Sequence, residues 1–190
     1  MSSFLASYLR PGQVFRGCQI PGGSKANWDV ELSIRESNTL GFSGVLKSTI
    51  PTHQAVYTLF HAELIDGIHT SFFTTNQKSN PTEDIQHWSR FKTFKDHFGT
   101  TSKAKLFAPS AELADALTRC PGLFFRIEEL CFLQSVHSAE HLTIEGFYFA
   151  QYSKSSGAIE GYYYERRARP GQKLQLRPVT ANNIPDVNIQ

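Results

Sequence analysis

Residues Trp28–Arg35 alternate strictly between apolar and polar side chains, and this pattern restricts the fold of the chain more than any other. The apolar positions are Trp28, Val30, Leu32 and Ile34, and the polar positions are Asp29, Glu31, Ser33 and Arg35. Because successive side chains of a strand point to opposite faces of a sheet, this alternation predicts a half-buried strand. The fold must therefore bury one face of a sheet and expose the other.

Other short segments of similar character follow along the chain, separated by turns. The turn dipeptide Asp66-Gly67 predicts a hairpin between Val56–Ile65 and Ile68–Thr74. Further strands are predicted at Val14–Gln19, Leu40–Lys47, Leu123–Leu133, Phe147–Tyr152, Ile159–Tyr164 and Lys173–Val179. Consecutive hairpins without alternating helices favour an antiparallel barrel or sandwich. We expect a mainly β fold, a closed antiparallel β-barrel of about eight to ten strands, which leaves no exposed edge and can hold a small ligand at its mouth.

The periodicity changes after residue 80 from that of a strand to that of a helix. Asn80-Pro81-Thr82-Glu83 is typical of a helix start, with a capping Asn followed by Pro at the first helical position. Apolar residues then recur at helical spacing, and Gly99 is expected to end the helix. A second short helix is predicted at Glu112–Arg119. We therefore expect one domain over residues 1–190, with a helical insertion at about 80–122 and a polar tail at about 180–190.

The composition excludes several classes of function. The chain has 190 residues and a formal net charge of +2, so electrostatics gives no reason to expect nucleic-acid binding. Its apolar runs are too short to span a bilayer, and the N-terminal segment MSSFLASYLRPG lacks the features of a signal peptide. The three cysteines share no metal-like spacing and are expected to be reduced. We therefore expect a protein of the cytoplasm, or also of the nucleus.

Glu129 interrupts an otherwise apolar row. If Leu123–Leu133 is a strand, one of its faces carries Leu123, Phe125, Ile127, Glu129, Cys131 and Leu133. A carboxylate in such a row must gain a proton, pair with a cation or reach water. Two interpretations remain open: Glu129 pairs with an internal Lys or Arg or lies at a strand end, or it waits at the barrel mouth for a ligand cation. Tyr148 is either a second polar group of that site or a packed core residue.

Patterns typical of catalysis or metal binding are weak. His137 and His141 have a spacing that would bring them together on a helix, but the segment has poor helix signals and no obvious third ligand. The sequence contains no nucleophile elbow, phosphate-binding loop or HExxH motif. We therefore predict no catalytic residue, no metal and no other cofactor.

Four stretches together resemble a known family. They are Val14–Gln19, His87–Phe91, Gly146–Phe149 and Ile159–Tyr164. In this order and at these spacings they resemble the glucose-induced degradation (vacuolar import and degradation) substrate receptors, the proline N-degron receptors of the GID/CTLH ubiquitin ligase. The resemblance extends from about Phe15 to Val179. It implies an antiparallel β-barrel with helical insertions, closed at one end, whose mouth binds peptides by a free N-terminus, preferably proline.

The resemblance also implies a role for particular residues. Glu129 matches the acidic residue that binds the N-terminal ammonium, and Tyr148 matches the tyrosine beside it. Gln19, Thr143 and Ile144 correspond to positions that contact the peptide backbone or line the peptide. Leu46, Ile50 and Tyr57 fall where the family has an apolar wall around the proline ring. The implied partners are proteins that begin with Pro and a scaffold subunit of the ligase, with neither nucleic acid nor membrane insertion.

Two features depart from the family pattern, and two other functions compete. Thr143-Ile144 stands where the family has a serine–aromatic pair, and the chain does not end in the aromatic and charged residues with which the family docks its scaffold. A lipocalin-like carrier of a small apolar ligand would need the same barrel without a cation partner. An enzyme using the Glu129 carboxylate as general acid or base would need a second titratable group nearby.

Overall fold

Eight strands form one closed antiparallel barrel in the computed structural model of the chain. The structure describes residues 7–20, 26–49, 51, 55–74, 80–133, 144–165 and 172–179. The strands are β1 Val14–Ile20, β2 Trp28–Ser37, β3 Gly41–Thr49, β4 Ala55–Leu64, β5 Gly122–Phe132, β6 Phe147–Ser153, β7 Ile159–Tyr164 and β8 Gln172–Pro178. Each strand pairs with its neighbours in sequence, and β8 pairs with β1 to close the barrel. The predicted fold class is therefore confirmed.

The segment Ile68–Thr74 is not a strand, so the predicted hairpin with Val56–Ile65 is wrong. β4 instead pairs with β5, across the helices that separate them in sequence. The Asp66-Gly67 turn does form: the Asp66 side chain accepts backbone hydrogen bonds from residues 68, 69 and 70, and Gly67 has a φ of +78°. Burial raises the pKa of Asp66, but a hydrogen bond from the His69 side chain, together with these backbone bonds, lowers it to about 2. The local turn chemistry was therefore predicted correctly and its partner strand was not.

The barrel interior is filled by the alternate residues that the sequence pattern identified. Val30, Leu32 and Ile34 of β2 are almost fully buried there, together with Phe125 and Ile127 of β5. At the end where β1 begins, the N-terminal segment closes the barrel, since Leu9 is fully buried and Tyr8 packs against Tyr152. Apolar side chains therefore fill the barrel at its closed end, and a binding site is expected at the opposite end.

Among the described residues, four helices lie between β4 and β5 and cover the outside of the barrel at β5 and β6. They are α1 Pro81–Trp88, α2 Lys92–Phe98, α3 Lys103–Phe107 and α4 Ala111–Arg119. Asn80 caps α1 as predicted, with its side chain accepting from the backbone N–H groups of Thr82 and Glu83. One continuous helix up to Gly99 was expected. The first helix instead ends at Trp88, and a second helix begins at Lys92.

A second apolar core joins these helices to β5 and β6. Phe72 and Trp88 pack against Phe124 of β5, and Trp88 meets Phe149 of β6 edge to face at 4.8 Å between ring centroids. Arg126 of β5 is buried in the same layer and donates to Thr74, Glu63 and the carbonyl oxygen of Ser71. β5 and β6 are thus packed on both faces, which fixes the strands that carry Glu129 and Tyr148.

Candidate functional site: a polar cluster at one end of the barrel

Polar side chains gather inside the barrel at the end opposite the N-terminal closure. In an antiparallel barrel the odd-numbered strands end where the even-numbered strands begin, and the cluster draws on both kinds. Its members come from six different strands and are Gln19, Thr58, Glu129, Tyr148, Tyr163 and Gln172. The core near the other end is apolar, so this polar end is the candidate binding site.

Glu129 lies within this cluster without a cationic partner among the described residues. Its Oε1 accepts a hydrogen bond of 2.6 Å from the Thr58 hydroxyl. Burial raises the pKa of Glu129, and the hydrogen bond from Thr58 opposes that rise only in part. Within the described ranges no Lys, Arg or His forms an ion pair with it. The carboxyl group is therefore poised to gain stabilisation from an added positive charge.

A β-bulge in β5 follows Glu129 and changes which residues face inward. Phe60 of β4 lies opposite Glu129, whereas its neighbour Leu59 lies opposite Cys131, so Leu130 has no partner across the pair. The bulge moves Cys131 to the exposed outer surface and brings Phe132 opposite Thr58, on the interior face. The prediction that Cys131 and Leu133 continue the face of Glu129 is therefore wrong, since both are exposed.

Tyr148 and Gln19 form a hydrogen-bonded chain beside the carboxyl group. The Tyr148 hydroxyl donates to Gln19 Oε1 at 2.8 Å, and Gln19 Nε2 donates to Gln172 Oε1. Tyr148 and Gln19 are each only 3% exposed, so the chain lies inside the protein. Burial and then the nearby Glu129 charge raise the pKa of Tyr148, which keeps its hydroxyl protonated at neutral pH. The Tyr148 proton is thus directed at Gln19, and the oxygen keeps lone pairs for another donor.

Tyr163 completes the wall next to Tyr148. The two rings meet edge to face with centroids 5.0 Å apart, and the Tyr163 oxygen accepts from the backbone N–H of Gly146 at 3.1 Å. Burial raises the pKa of Tyr163 to about 12. This hydrogen bond ties the segment before β6 to β7, so the position of Gly146 is coupled to the position of the Tyr163 ring.

The remaining residues expected at the site are placed as follows. Leu46 is 1% exposed in the barrel core and lies opposite Thr58 across β3 and β4. Tyr57 lies on the outer face, opposite Lys47, whose ammonium sits 5.7 Å from the ring centroid, so the expectation that it lines the interior does not hold. Ile144 is half-buried just before β6. Ile50 and Thr143 lie outside the described residues.

Sequence reasoning missed four interior residues of this end. Thr58, Phe132, Tyr163 and Gln172 are the missed positions. Phe132 could not be found because the bulge that turns it inward leaves no signal in the residue pattern. Thr58 could have been found, since β4 alternates and its buried neighbours Val56 and Phe60 are apolar, which marks it as a polar residue on an interior face.

Within the described part of the site, few side chains are suited to acid–base or metal chemistry. Among the described residues, Tyr148 and Tyr163 are titratable groups that feel the Glu129 charge, and burial raises the pKa of both, so they do not exchange protons readily at neutral pH. No three His, Cys, Asp or Glu residues in the described ranges are grouped as metal ligands, and His137 and His141 lie outside those ranges. None of the described helices is both long and apolar enough to cross a membrane.

The fold and site define a class of protein: a closed eight-stranded antiparallel barrel, sealed at one end by its N-terminal segment, with a half-buried carboxyl group near the other end. The model of the family described as "vacuolar import and degradation protein" matches residues 8–179. This match covers most of the chain, and the chain therefore belongs to that family.

Curated relatives agree with this assignment. The chain is 30% identical over 201 residues to the GID complex substrate-recognition subunit 4 of Schizosaccharomyces pombe, covering 97% of this chain and 98% of the relative. It is 29% identical over 184 residues to the glucose-induced degradation protein 4 homolog of Mus musculus, covering 94% and 81%. The GID complex substrate-recognition subunit 10 of S. pombe is 27% identical over 190 residues, covering 90% of this chain and 34% of that relative.

Proposed function

We propose that this protein is a substrate-recognition subunit of a GID-type ubiquitin ligase, and that it binds the free N-terminus of its targets, preferably proline, at the polar end of the barrel. Two of the relatives described above are named as substrate-recognition subunits of a GID complex. The protein itself would not be catalytic, since it would present targets that other subunits modify. It would work in the cytoplasm, or also in the nucleus.

The observation that carries the proposal is the Glu129 carboxyl group inside the barrel. A carboxylate that is partly shielded from water and has no counterion among the described residues is unfavourable, and this burial raises the pKa of Glu129. A peptide ammonium brought to the site would supply the absent charge. It would also lower the pKa of Glu129 and hold it in the ionised form.

The geometry around Glu129 suits two donors rather than one. Glu129 Oε1 already accepts from Thr58, whereas Oε2 accepts from no donor among the residues that the structure describes. The Tyr148 oxygen can accept a second bond, because its own proton is given to Gln19. The secondary ammonium of an N-terminal proline has two N–H donors, which these two acceptors would satisfy.

Apolar residues beside the polar groups suit the proline ring. Leu46 lies directly across from Thr58 on one side, and Phe132 lies across from it on the other. Both side chains therefore lie next to Thr58, whose hydroxyl donates to Glu129. A compact ring would bury apolar surface against these side chains, whereas a long first side chain would have to displace them.

Calorimetry with two peptides and two variants tests the proposal. The peptides share one sequence that begins with proline, and one copy is N-acetylated, which removes the positive charge. The variants are Glu129→Gln, which removes the carboxylate at nearly constant volume, and Glu128→Gln as the matched control. Glu128 is the preceding residue, and its side chain lies on the opposite face of β5.

We expect the free peptide to bind the unmodified protein and the Glu128→Gln control, and both acetylation and Glu129→Gln to weaken binding. Removing one partner of a desolvated charge pair costs roughly 2–5 kcal/mol, which corresponds to about 30- to 5000-fold in affinity. Equal binding of the free and acetylated peptides would overturn the proposal. If an apolar dye binds the protein and neither peptide binds, a small-molecule carrier is favoured instead.

A further inference from the structure

We propose that Thr58 is a positioning residue for N-terminus recognition: its hydroxyl keeps the Glu129 carboxyl group in the charged form that an incoming ammonium needs. The inference rests on the proposed function. It adds to that function a residue that acts on the peptide only through Glu129. Thr58 is 3% exposed, so it has almost no surface to offer a ligand itself.

The hydroxyl of Thr58 has two acceptors within reach, and they are not equal. Its Oγ1 lies 2.6 Å from Glu129 Oε1 and 3.5 Å from the carbonyl oxygen of Leu46. The first distance is typical of a hydroxyl that donates to a charged carboxylate, whereas the second is at the limit of a hydrogen bond. The single hydroxyl proton therefore points to Glu129 as long as that carboxyl group is ionised.

Protonation of Glu129 would reverse this bond. The neutral carboxyl group would donate to the Thr58 oxygen, and the hydroxyl proton would have to turn to the distant carbonyl oxygen of Leu46. A neutral hydrogen bond would thus replace a charge-assisted one, which is roughly twice as strong. The Thr58 hydroxyl therefore favours the ionised form of Glu129 and opposes the effect of burial on its pKa.

The surroundings of Thr58 make its hydroxyl hard to replace. Among the residues that the structure describes, it is the one side chain that donates to Glu129, because the Tyr148 hydroxyl donates to Gln19 instead. The interior neighbours of Thr58 along β4 are apolar. An apolar side chain of the same shape would fill the same space, so water could not take the place of the lost donor.

The charged and titratable groups around Glu129 do not perform the same task. In the described part of the barrel, the Glu129 charge acts on Tyr148 of β6 and Tyr163 of β7, and burial raises the pKa of both. Tyr163 also feels Glu145 and Glu165, whose negative charges cannot stabilise a further carboxylate. The donor that favours the charged form therefore comes from β4.

Substitutions of Thr58 separate its hydroxyl from its shape. Thr58→Val keeps the shape and removes the donor, whereas Thr58→Ser keeps the donor. Carbon-13 titration of the Glu129 carboxyl group in the free protein should show a higher pKa in Thr58→Val than in the unmodified protein, and Thr58→Ser should restore it. An unchanged titration in Thr58→Val would overturn the inference. Thr58→Ala, which also lacks the donor, replaces the valine variant if thermal unfolding shows that it does not fold.

Peptide binding tests the functional consequence. One pH unit below the pKa of Glu129 in the unmodified protein, Thr58→Val should bind the Pro-starting peptide roughly ten- to hundredfold more weakly, the range for one hydrogen bond to a charged group. Calorimetry in two buffers of different ionisation enthalpy counts the protons released on binding. At that pKa we expect about half a proton per peptide for the unmodified protein and close to one for Thr58→Val. A loss of affinity with an unchanged proton count would overturn the inference, because Thr58 would then act by contacting the peptide.

These measurements separate the inference from the proposed function. If the unmodified protein distinguishes the free from the acetylated peptide but Thr58→Val leaves the titration of Glu129 unchanged, the function stands and the role of Thr58 is refuted. If the unmodified protein binds both peptides equally, the proposed function fails, although the titration of the free protein still measures the effect of Thr58 on Glu129.

Discussion

The imidazole of His87 provides a quantitative test of how the helices pack on the barrel. The ring is 6% exposed and stacks on Phe149, with centroids 4.7 Å apart and an interplanar angle of 11°. Tyr164 meets it edge-on at 4.6 Å, and its Nδ1 has no hydrogen-bond partner within the described residues. Burial, and then the nearby charge of Arg90, lower the pKa of His87 from 6.5 to about 4.

The sign and size of the effect on stability follow from this pKa. The unfolded chain binds a proton at His87 near pH 6.5, whereas the folded protein resists it until about pH 4. The contribution of His87 to folding is therefore fully present above pH 6.5 and is lost as the pH falls through about 4. The shift corresponds to at most ~3 kcal/mol. Partial access of water to the ring would reduce this value, so we expect about 1–2 kcal/mol to be lost between pH 7 and 5.

Urea unfolding at pH 7 and at pH 5 measures this difference. His87→Phe keeps an aromatic ring in the stack and removes the titrating group, so its free energy of unfolding should fall about 1–2 kcal/mol less than that of the unmodified protein. His61→Gln is the control, because His61 is exposed on β4. If His87→Phe and the unmodified protein lose the same stability between these two pH values, His87 is not buried as described.

Three further predictions concern the site and its support. Arg126→Ala should lower the free energy of unfolding by about 1–3 kcal/mol, because it removes the donor that Arg126 supplies to the buried Thr74 hydroxyl and the Ser71 carbonyl oxygen; a loss below about 0.5 kcal/mol in urea unfolding would contradict this. Gly146→Ala should lower stability by about 1–3 kcal/mol, because the added methyl would clash with the Tyr163 ring; an unchanged melting temperature would argue against the contact. Peptide affinity should fall about tenfold per pH unit below the raised pKa of Glu129, because only the ionised carboxylate attracts the ammonium; calorimetry showing constant affinity there would disprove it.

Local signals in the sequence predicted much of the fold. The alternation in Trp28–Arg35 gave β2 and its buried face, and the capping Asn80 gave the start of α1. The predicted strand at Ile68–Thr74 failed because the Asp66-Gly67 turn is equally compatible with a tight loop. Residue patterns report local geometry, whereas the partner of β4 is decided by packing with β5, from which it is separated in sequence by residues 65–121.

Part of the candidate site was predicted from the sequence, and there is a physical reason why the rest was not. An acid in an apolar row identified Glu129, because burial of a charge is costly wherever the strand lies. The resemblance supplied Gln19 and Tyr148, which the structure joins in one hydrogen-bonded chain. Tyr57 was misplaced because the alternation of β4 puts its neighbour Thr58 inside. Register and bulges depend on how two strands pair, so the residue pattern of one strand does not predict them.

The ionisation of Glu129 is the central claim, and its titration measures that claim directly. Carbon-13 chemical shifts of the side-chain carboxyl group give its pKa in the free protein and in the complex with a Pro-starting peptide. We expect a pKa above the ordinary value in the free protein, because burial disfavours the charge and no described residue supplies a counterion, and a fall below that value when the ammonium binds. An ordinary pKa that does not change with saturating peptide would contradict the account.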